Sequence, residues 1–443
     1  MSKHFAATAV IAVASLAACI QAASASFIED SKADLELRNF YIDRDNRTGD
    51  AAPSRQSEWG QGFILDVRSG YTEGPVGFGV DILGTLGIRL DSGKGTHYNP
   101  TSSNRGGQVF PTDDDGRAVS SFGSLGPTFK ARYAQSELKI GTLRPLMPLV
   151  SYNDGRLLPQ TFEGAQFTSR DIDRLTFTAG KLTQAKGRNS TDRQGLSIPG
   201  ANDAQRGQFV NSFLFVGGDY ALSKDLTAQY YYGELENFYK QHFVGLIHLA
   251  KLPVGTLKTD LRGFVSDSNG KNGSAAGRAE GYVSNGFGND GEVDNRAWSA
   301  MFTYSLAGHS VGLGYQKLSG DSDFPFMTMG DGVRAYLISD RSLNTFQRAG
   351  ERSLIGTYAF DFRSVGVPGL RLAADYVRGD QIRSAVGERK EWFRGTPLEY
   401  AVQNPASKGL SLAVRNGSYR GDLERVRGTD ETRVIVSYKL PLL

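Results

Sequence analysis

Beyond its first 25 residues the chain has no cysteine, and no apolar run there approaches the ~20 residues of a membrane-spanning helix. The first absence excludes disulfides and thiol chemistry in a processed chain, and the second leaves closed strands as the only route across a bilayer. The five histidines, His4, His97, His242, His248 and His309, show no HExxH or other ligand spacing, and no cysteines support zinc. No metal and no cofactor are therefore expected. Charge of one sign is lacking too: 50 Lys and Arg against 47 Asp and Glu give a net +3, too mild for a nucleic-acid partner. No proline- or charge-rich linker divides a chain that is long for one compact core.

What is present is a leader, abundant glycine and many short aromatic-bearing strands. Lys3 and His4, the run FAATAVIAVASLAACI and the small-x-small site Ala23-Ser24-Ala25 identify residues 1–25 as a signal peptide, so the expected domain is 26–443. Cys19 also sits in Leu16-Ala17-Ala18-Cys19, which resembles a lipoprotein processing site; the Ala-Ser-Ala site just downstream is preferred. Glycine numbers 54, phenylalanine 25 and tyrosine 19, a composition that suits a barrel better than a helical or doubly wound protein.

Period-two alternation follows the leader. Leu35 and Leu37 alternate with Asp34, Glu36 and Arg38; Phe63, Leu65 and Val67 with Ile64, Asp66 and Arg68; Val76, Phe78, Val80 and Ile82 with Gly77, Gly79 and Asp81; Phe129, Ala131 and Tyr133 with Lys130 and Arg132. Connections alternate as well. Short turns such as 221–225 and 306–309 are separated by long polar segments at 91–121, 189–208, 267–291, 319–332 and 379–397. That rhythm predicts an all-β, transmembrane antiparallel barrel of about eighteen strands in the bacterial outer membrane, with bilayer lipid as a partner. The stretch 144–174 breaks the pattern. Pro145, Pro148 and Pro159 argue against a central strand, while Leu146, Met147, Leu149, Val150, Leu157, Leu158 and Phe162 are apolar beyond the needs of a surface loop. It is expected to fold into the barrel as a constriction.

Two chemical readings of short motifs fail on context. Gly308-His309-Ser310-Val311-Gly312 matches GxSxG, but a hairpin turn leads there into an alternating strand, with no helix for the serine to cap. Asp113-Asp114-Asp115 beside Gly116 reads as a solvated loop tip rather than a calcium site. No catalytic residue is expected. More telling are arginines on the polar parity, namely Arg38, Arg44, Arg68, Arg132, Arg371, Arg415 and Arg433. A charge facing lipid costs ~2–4 kcal/mol at the midplane, so these must line the lumen if the barrel is real. Guanidinium groups in a water-filled tube attract anions and hold carboxylates bidentately, though pairing with wall carboxylates such as Asp34, Asp66, Asp81 and Asp375 is the bland alternative.

Several segments carry a family resemblance: SFIEDS at 26–31, LELRNFYIDRD at 35–45, WGQGF at 59–63, GFGVD at 77–81, GRLLPQTFEGAQ at 155–166, GGDY at 217–220, GYQKLSGD at 314–321 and GVPGL at 366–370. In order and spacing the chain resembles the OprD family of substrate-specific outer-membrane porins, and 182–202 and 230–248 look more like its branch for aromatic and other small monocarboxylates than its branch for basic amino acids or peptides. The resemblance implies an eighteen-stranded barrel, a monomer or weakly associated trimer, with its third outer loop folded inward. It also implies passive uptake of small carboxylates along a basic ladder. The implied ladder is Arg38, Arg44, Arg55, Arg156, Lys181 and Arg415, and the implied constriction Tyr152, Asp154, Arg156, Ser339 and Asp340. Lys181 keeps to the ladder only if Gly180 hosts a bulge, since it otherwise shares no face with the polar set. The rival from another class is a barrel hydrolase.

Overall fold

A computed structural model of the chain describes residues 27–47, 54–97, 107–201, 207–328, 334–423 and 427–443. The expected signal peptide, with Cys19, lies outside the described residues. Among those described, eighteen antiparallel strands close into one barrel: β1 (Lys32–Asn46), β2 (Arg55–Arg68), β3 (Val76–Asp91), β4 (Ser121–Tyr133), β5 (Ser136–Leu143), β6 (Thr161–Ser169), β7 (Leu175–Lys186), β8 (Phe213–Ser223), β9 (Leu226–Leu235), β10 (Tyr239–Lys251), β11 (Thr256–Ser268), β12 (Asp294–Leu306), β13 (His309–Ser319), β14 (Arg352–Asp361), β15 (Leu370–Ile382), β16 (Arg389–Ala401), β17 (Leu410–Gly421) and β18 (Thr429–Pro441). Strand β1 pairs with β2 on one side and β18 on the other, Leu37 standing opposite both Phe63 and Tyr438. Closure leaves no sheet edge and satisfies the ladder groups within the wall, which a bilayer core demands.

The faces sort as the alternation requires. Leu125 is 66% and Phe129 62% exposed on the outer wall of β4, while Lys130 between such residues is buried inside. Phe78, Leu86, Val244, Leu313, Leu354 and Val414 are likewise exposed. An aqueous protein would not leave so continuous an apolar skin, whereas lipid covers it at no cost. No helix among the described residues is long and apolar enough to cross a membrane.

At the end holding Lys32 and Pro441, neighbouring strands join over a few residues, as at 134–135, 224–225, 252–255 and 307–308. The other end carries the long connections 92–120, 144–160, 187–212, 269–293 and 320–351. Two expectations are corrected there. The polar stretch 379–397 is mostly strand, the ends of β15 and β16 leaving only 383–388 as a turn; strand ends at the headgroup level carry charged residues such as Lys390 on the outward face, so they read as loop. The proline-rich segment is also shorter than 144–174, because Thr161–Ser169 pairs with both β5 and β7 as wall. The GxSxG match spans the β12–β13 hairpin, with positive φ at Ala307 and Gly308, and Ser310 Oγ meets only Ser305 Oγ at 2.8 Å.

Where the bore would otherwise be open, loops from the long-connection end turn back inside and pack on the wall. Leu157 and Leu158, fully buried, join Phe40, Ile42, Val109, Phe110 and Phe122 beside β1 to β4. Met147, Leu149 and Val150 join Phe162, Leu182, Phe213 and Leu235 in a larger cluster along β6 to β12. Ile338 and Phe346 pack with Ile355, Val377, Phe393 and Tyr419 on β14 to β17. These inner clusters, rather than a central core, hold the constriction in place.

Candidate functional site

The loop 144–160 is built as two apolar anchors with a polar tip between them. Leu146–Met147 pairs with Val150–Ser151 in a minimal ladder that seats the first anchor, and Leu157-Leu158 forms the second. Glycine decides the seat of the second anchor: a Cβ on Gly60 would stand 2.8 Å from Leu157 Cδ2, and one on Gly62 3.0 Å from the Leu157 carbonyl oxygen. Between the anchors Asn153-Asp154-Gly155-Arg156 is left facing the bore. Arg38 fixes this tip from the wall. Its Nη1 and Nη2 donate to Asp154 Oδ1 and Oδ2 at 2.7 and 3.1 Å, and Nη1 also donates to the Arg156 carbonyl at 2.9 Å.

The opposite lip comes from 334–351. Ser339, fully buried, accepts from Gln316 Nε2 at 2.8 Å and donates to the Thr345 carbonyl at 2.9 Å, which holds the turn that presents Asp340 and Arg341. Arg341 Nη1 donates to the Ile338 and Asp340 carbonyls at 3.0 and 2.8 Å. Together the two lips and the β17 and β18 wall enclose a cavity of about 560 Å³, lined among the described residues by six guanidinium groups, those of Arg156, Arg188, Arg334, Arg341, Arg415 and Arg433, and two carboxylates, Asp154 and Asp340. The wall offsets part of this excess, Asp375 standing 3.8 Å from Arg341 Nε. Buried Glu431 is shared by Arg44 at 2.6 Å, Arg433 Nε at 2.6 Å and Arg156 at 4.0 Å, while Arg415 reaches Glu399 at 2.7 Å.

The residues expected from sequence therefore divide. Asp154, Arg156, Asp340 and Arg415 line the cavity; Arg44 stands behind it through Glu431, and Arg38 holds the loop. Tyr152 packs on the large apolar cluster, 6.0 Å from the Arg144 guanidinium, and Ser339 is scaffold; neither lines the opening. Lys181 is a correction. It is exposed and stands opposite Leu214 and Ala165 on the outward parity, because the register shift falls around Thr183 rather than at Gly180. Arg55 is another: it shares the outward parity of Trp59 and Phe63 and pairs with Asp43 on the outer wall. Arg188, Arg334 and Arg341 were not foreseen. Loops carry no period to assign a face, although Arg341 directly follows two residues that were.

Burial, opposed by the charges of Arg334 and Arg341, pushes the Asp340 carboxyl up to about 7. Above that value the lip carries its negative charge; below it the carboxyl is neutral and the opening gains one net positive charge. The reversal potential across a salt gradient is therefore expected to move toward anions as pH falls from 8 to 6, and Asp340→Asn should abolish the step. An equal step in that variant would remove Asp340 as its source.

An apolar-skinned closed barrel whose bore narrows to a charged opening has the architecture of an outer-membrane diffusion channel. A family model described as outer membrane porin, OprD family, matches residues 25–442, and the chain belongs to that family. It is 36% identical over 426 residues to the porin-like protein GalP of Pseudomonas putida, covering 96% of this chain and 95% of that protein. Among solved structures it is similar to Pseudomonas aeruginosa OccK8 (OprE), at 52% identity and a TM-score of 0.87, over 94% of this chain and all of that one. It is also similar to P. aeruginosa OpdK, solved with vanillate, at 34% identity and a TM-score of 0.81 over the same shares. The protein is thus a porin for substrate-specific uptake of small molecules across the bacterial outer membrane.

Proposed function

We propose that this channel takes up small carboxylates, aromatic monocarboxylates among them, by passive diffusion. The observation that carries the reading is the ratio of six guanidinium groups to two carboxylates around a 560 Å³ opening. Such an opening favours an anion of modest size and repels a basic amino acid. The substrate carboxylate exchanges between neighbouring arginines, each contact weak enough to be left for the next, since one tight site would stop flux. Below the opening the path continues past a smaller cavity of about 210 Å³ lined by Arg68, Lys139 and Arg144 with Asp66 and Asp81. There Arg144 Nη2 donates to Asp66 at 2.6 Å, and Lys130 pairs with Asp81 at 2.6 Å. Vanillate is an aromatic carboxylate, and its presence in the related OpdK structure supports the same class here.

The test is Arg156→Ser, with uptake into liposomes measured for benzoate and for arginine. Loss of one charge-assisted contact of ~1.5–3 kcal/mol predicts benzoate uptake lowered roughly tenfold to a hundredfold, with the barrel intact by heat-modifiable electrophoretic mobility. Unchanged benzoate flux would remove Arg156 from the path. Preference of the unaltered channel for arginine over benzoate would overturn the reading itself.

A further inference from the structure

On the outer wall, at the end of the long connections, strands β15 to β17 form a recess of about 320 Å³ that the bore does not reach. Its floor is the ring pair Tyr376 and Trp392, stacked with centroids 6.4 Å apart, and its walls carry Arg378, Lys390 and Arg420. Their register puts them on one face: Arg378 stands opposite Trp392, and Trp392 opposite Arg420. The same parity includes Tyr376, 48% exposed on the lipid side. Arg420 lies 6.0 Å from the Trp392 ring centroid and is paired to Asp430 at 2.9 Å. Arg378 and Lys390 are exposed, and their side chains enter no ion pair among the described residues. Two carboxylate residues border the recess: Asp422 accepts from the Lys390 backbone N–H at 2.8 Å, and Glu391 is buried on the opposite parity, where Tyr419 donates to it.

Placement decides what such a recess meets. Tryptophan and tyrosine on a barrel wall mark the level where acyl chains give way to headgroups. Lys390 is two residues beyond Trp392 toward the long-connection end, so on a tilted barrel strand its backbone stands roughly 5 Å higher, toward the headgroups of the outer leaflet. Basic side chains at that level attract phosphorylated headgroups, and a guanidinium takes a phosphate bidentately. We propose that this recess is a binding site for the phosphorylated headgroup of an outer-leaflet glycolipid. The aromatic pair receives its first acyl segment, and Arg378, Lys390 and Arg420 hold its phosphate. The site is separate from the transport path, since its side chains point away from the lumen.

The experiment titrates the purified mature protein in detergent with bisphosphorylated lipid A, with its dephosphorylated form and with inorganic phosphate, and reads bound ligand by native mass spectrometry. The expected result is one lipid A retained per barrel. Affinity should fall roughly thirtyfold in R378Q/K390Q and about fivefold in either single variant, at ~1 kcal/mol per basic side chain. Lys224→Gln, in the turn at the opposite end, should bind as the unaltered protein does, and the reversal potential of R378Q/K390Q should not move. Undiminished binding in the double and single variants would overturn the site. Equal binding of the dephosphorylated lipid would reduce the recess to an apolar contact, and equally tight inorganic phosphate would make it an anion site without lipid; either result overturns the proposal.

Discussion

Replacing Leu157 and Leu158 together by aspartate should open the channel, raising single-channel conductance several-fold and abolishing discrimination among substrates. Both side chains are fully buried between the loop and the wall, against Phe40, Phe110 and Phe122. Truncating a buried leucine costs ~2–5 kcal/mol, and a carboxylate pressed into the same pocket adds a desolvation penalty of several more. Against this the tip retains the Arg38 to Asp154 pair, in which Asp154 is 39% exposed and so contributes only modestly. The loop is expected to leave its seat. The barrel is not, because eighteen strands close the ladder without it. Conductance in planar bilayers and heat-modifiable mobility measure the two separately. An intact barrel of unchanged conductance would show that 144–160 is not the constriction.

Neutralising part of the opening should be nearly as disruptive, but of selectivity rather than size. The triple variant R188Q/R341Q/R415Q would leave three guanidinium groups facing the same two carboxylates. Even at the dielectric of bulk water a unit charge about 4 Å away contributes ~1 kcal/mol, so removal of three predicts roughly a hundredfold lower local anion occupancy. Glutamine keeps a donor at each position, which spares the Arg341 contacts that shape the lip. In a tenfold salt gradient the reversal potential should shift from the anion side to near zero or beyond. No shift would mean that these arginines do not set the field of the bore.

The two variants draw on different parts of the molecule, and those parts were not equally legible. Alternation at Val76 to Ile82 and Phe129 to Tyr133 placed both faces of the wall, because a barrel strand between lipid and water has only two environments and a side-chain period of two. The same rule put Arg38, Arg44 and Arg415 inside. At Lys181 the parity pointed outward and the resemblance inward, and the register shift near Thr183 falls beyond that residue and leaves it outside. The rule failed at 379–397, where strand ends at the headgroup level carry charged residues such as Lys390 on the outward face and lose the plain apolar alternation. For Arg55 the resemblance pointed inward while the parity of its own strand points out.

What the amino-acid sequence alone determined was the closed sheet, its lipid-facing side and the presence of an oily, proline-bearing segment with no place in the wall. All three follow from short-range periodicity and composition. Tertiary structure decided which guanidinium groups share one opening. Arg156, Arg188, Arg341 and Arg433 come from two inward loops, the connection just past β7 and the last strand, and they meet only because buried anchors such as Leu157 and Phe346 return the loops to opposite sides of the bore. Contacts of that kind depend on how chain segments distant in sequence pack together, and a local pattern holds no record of them.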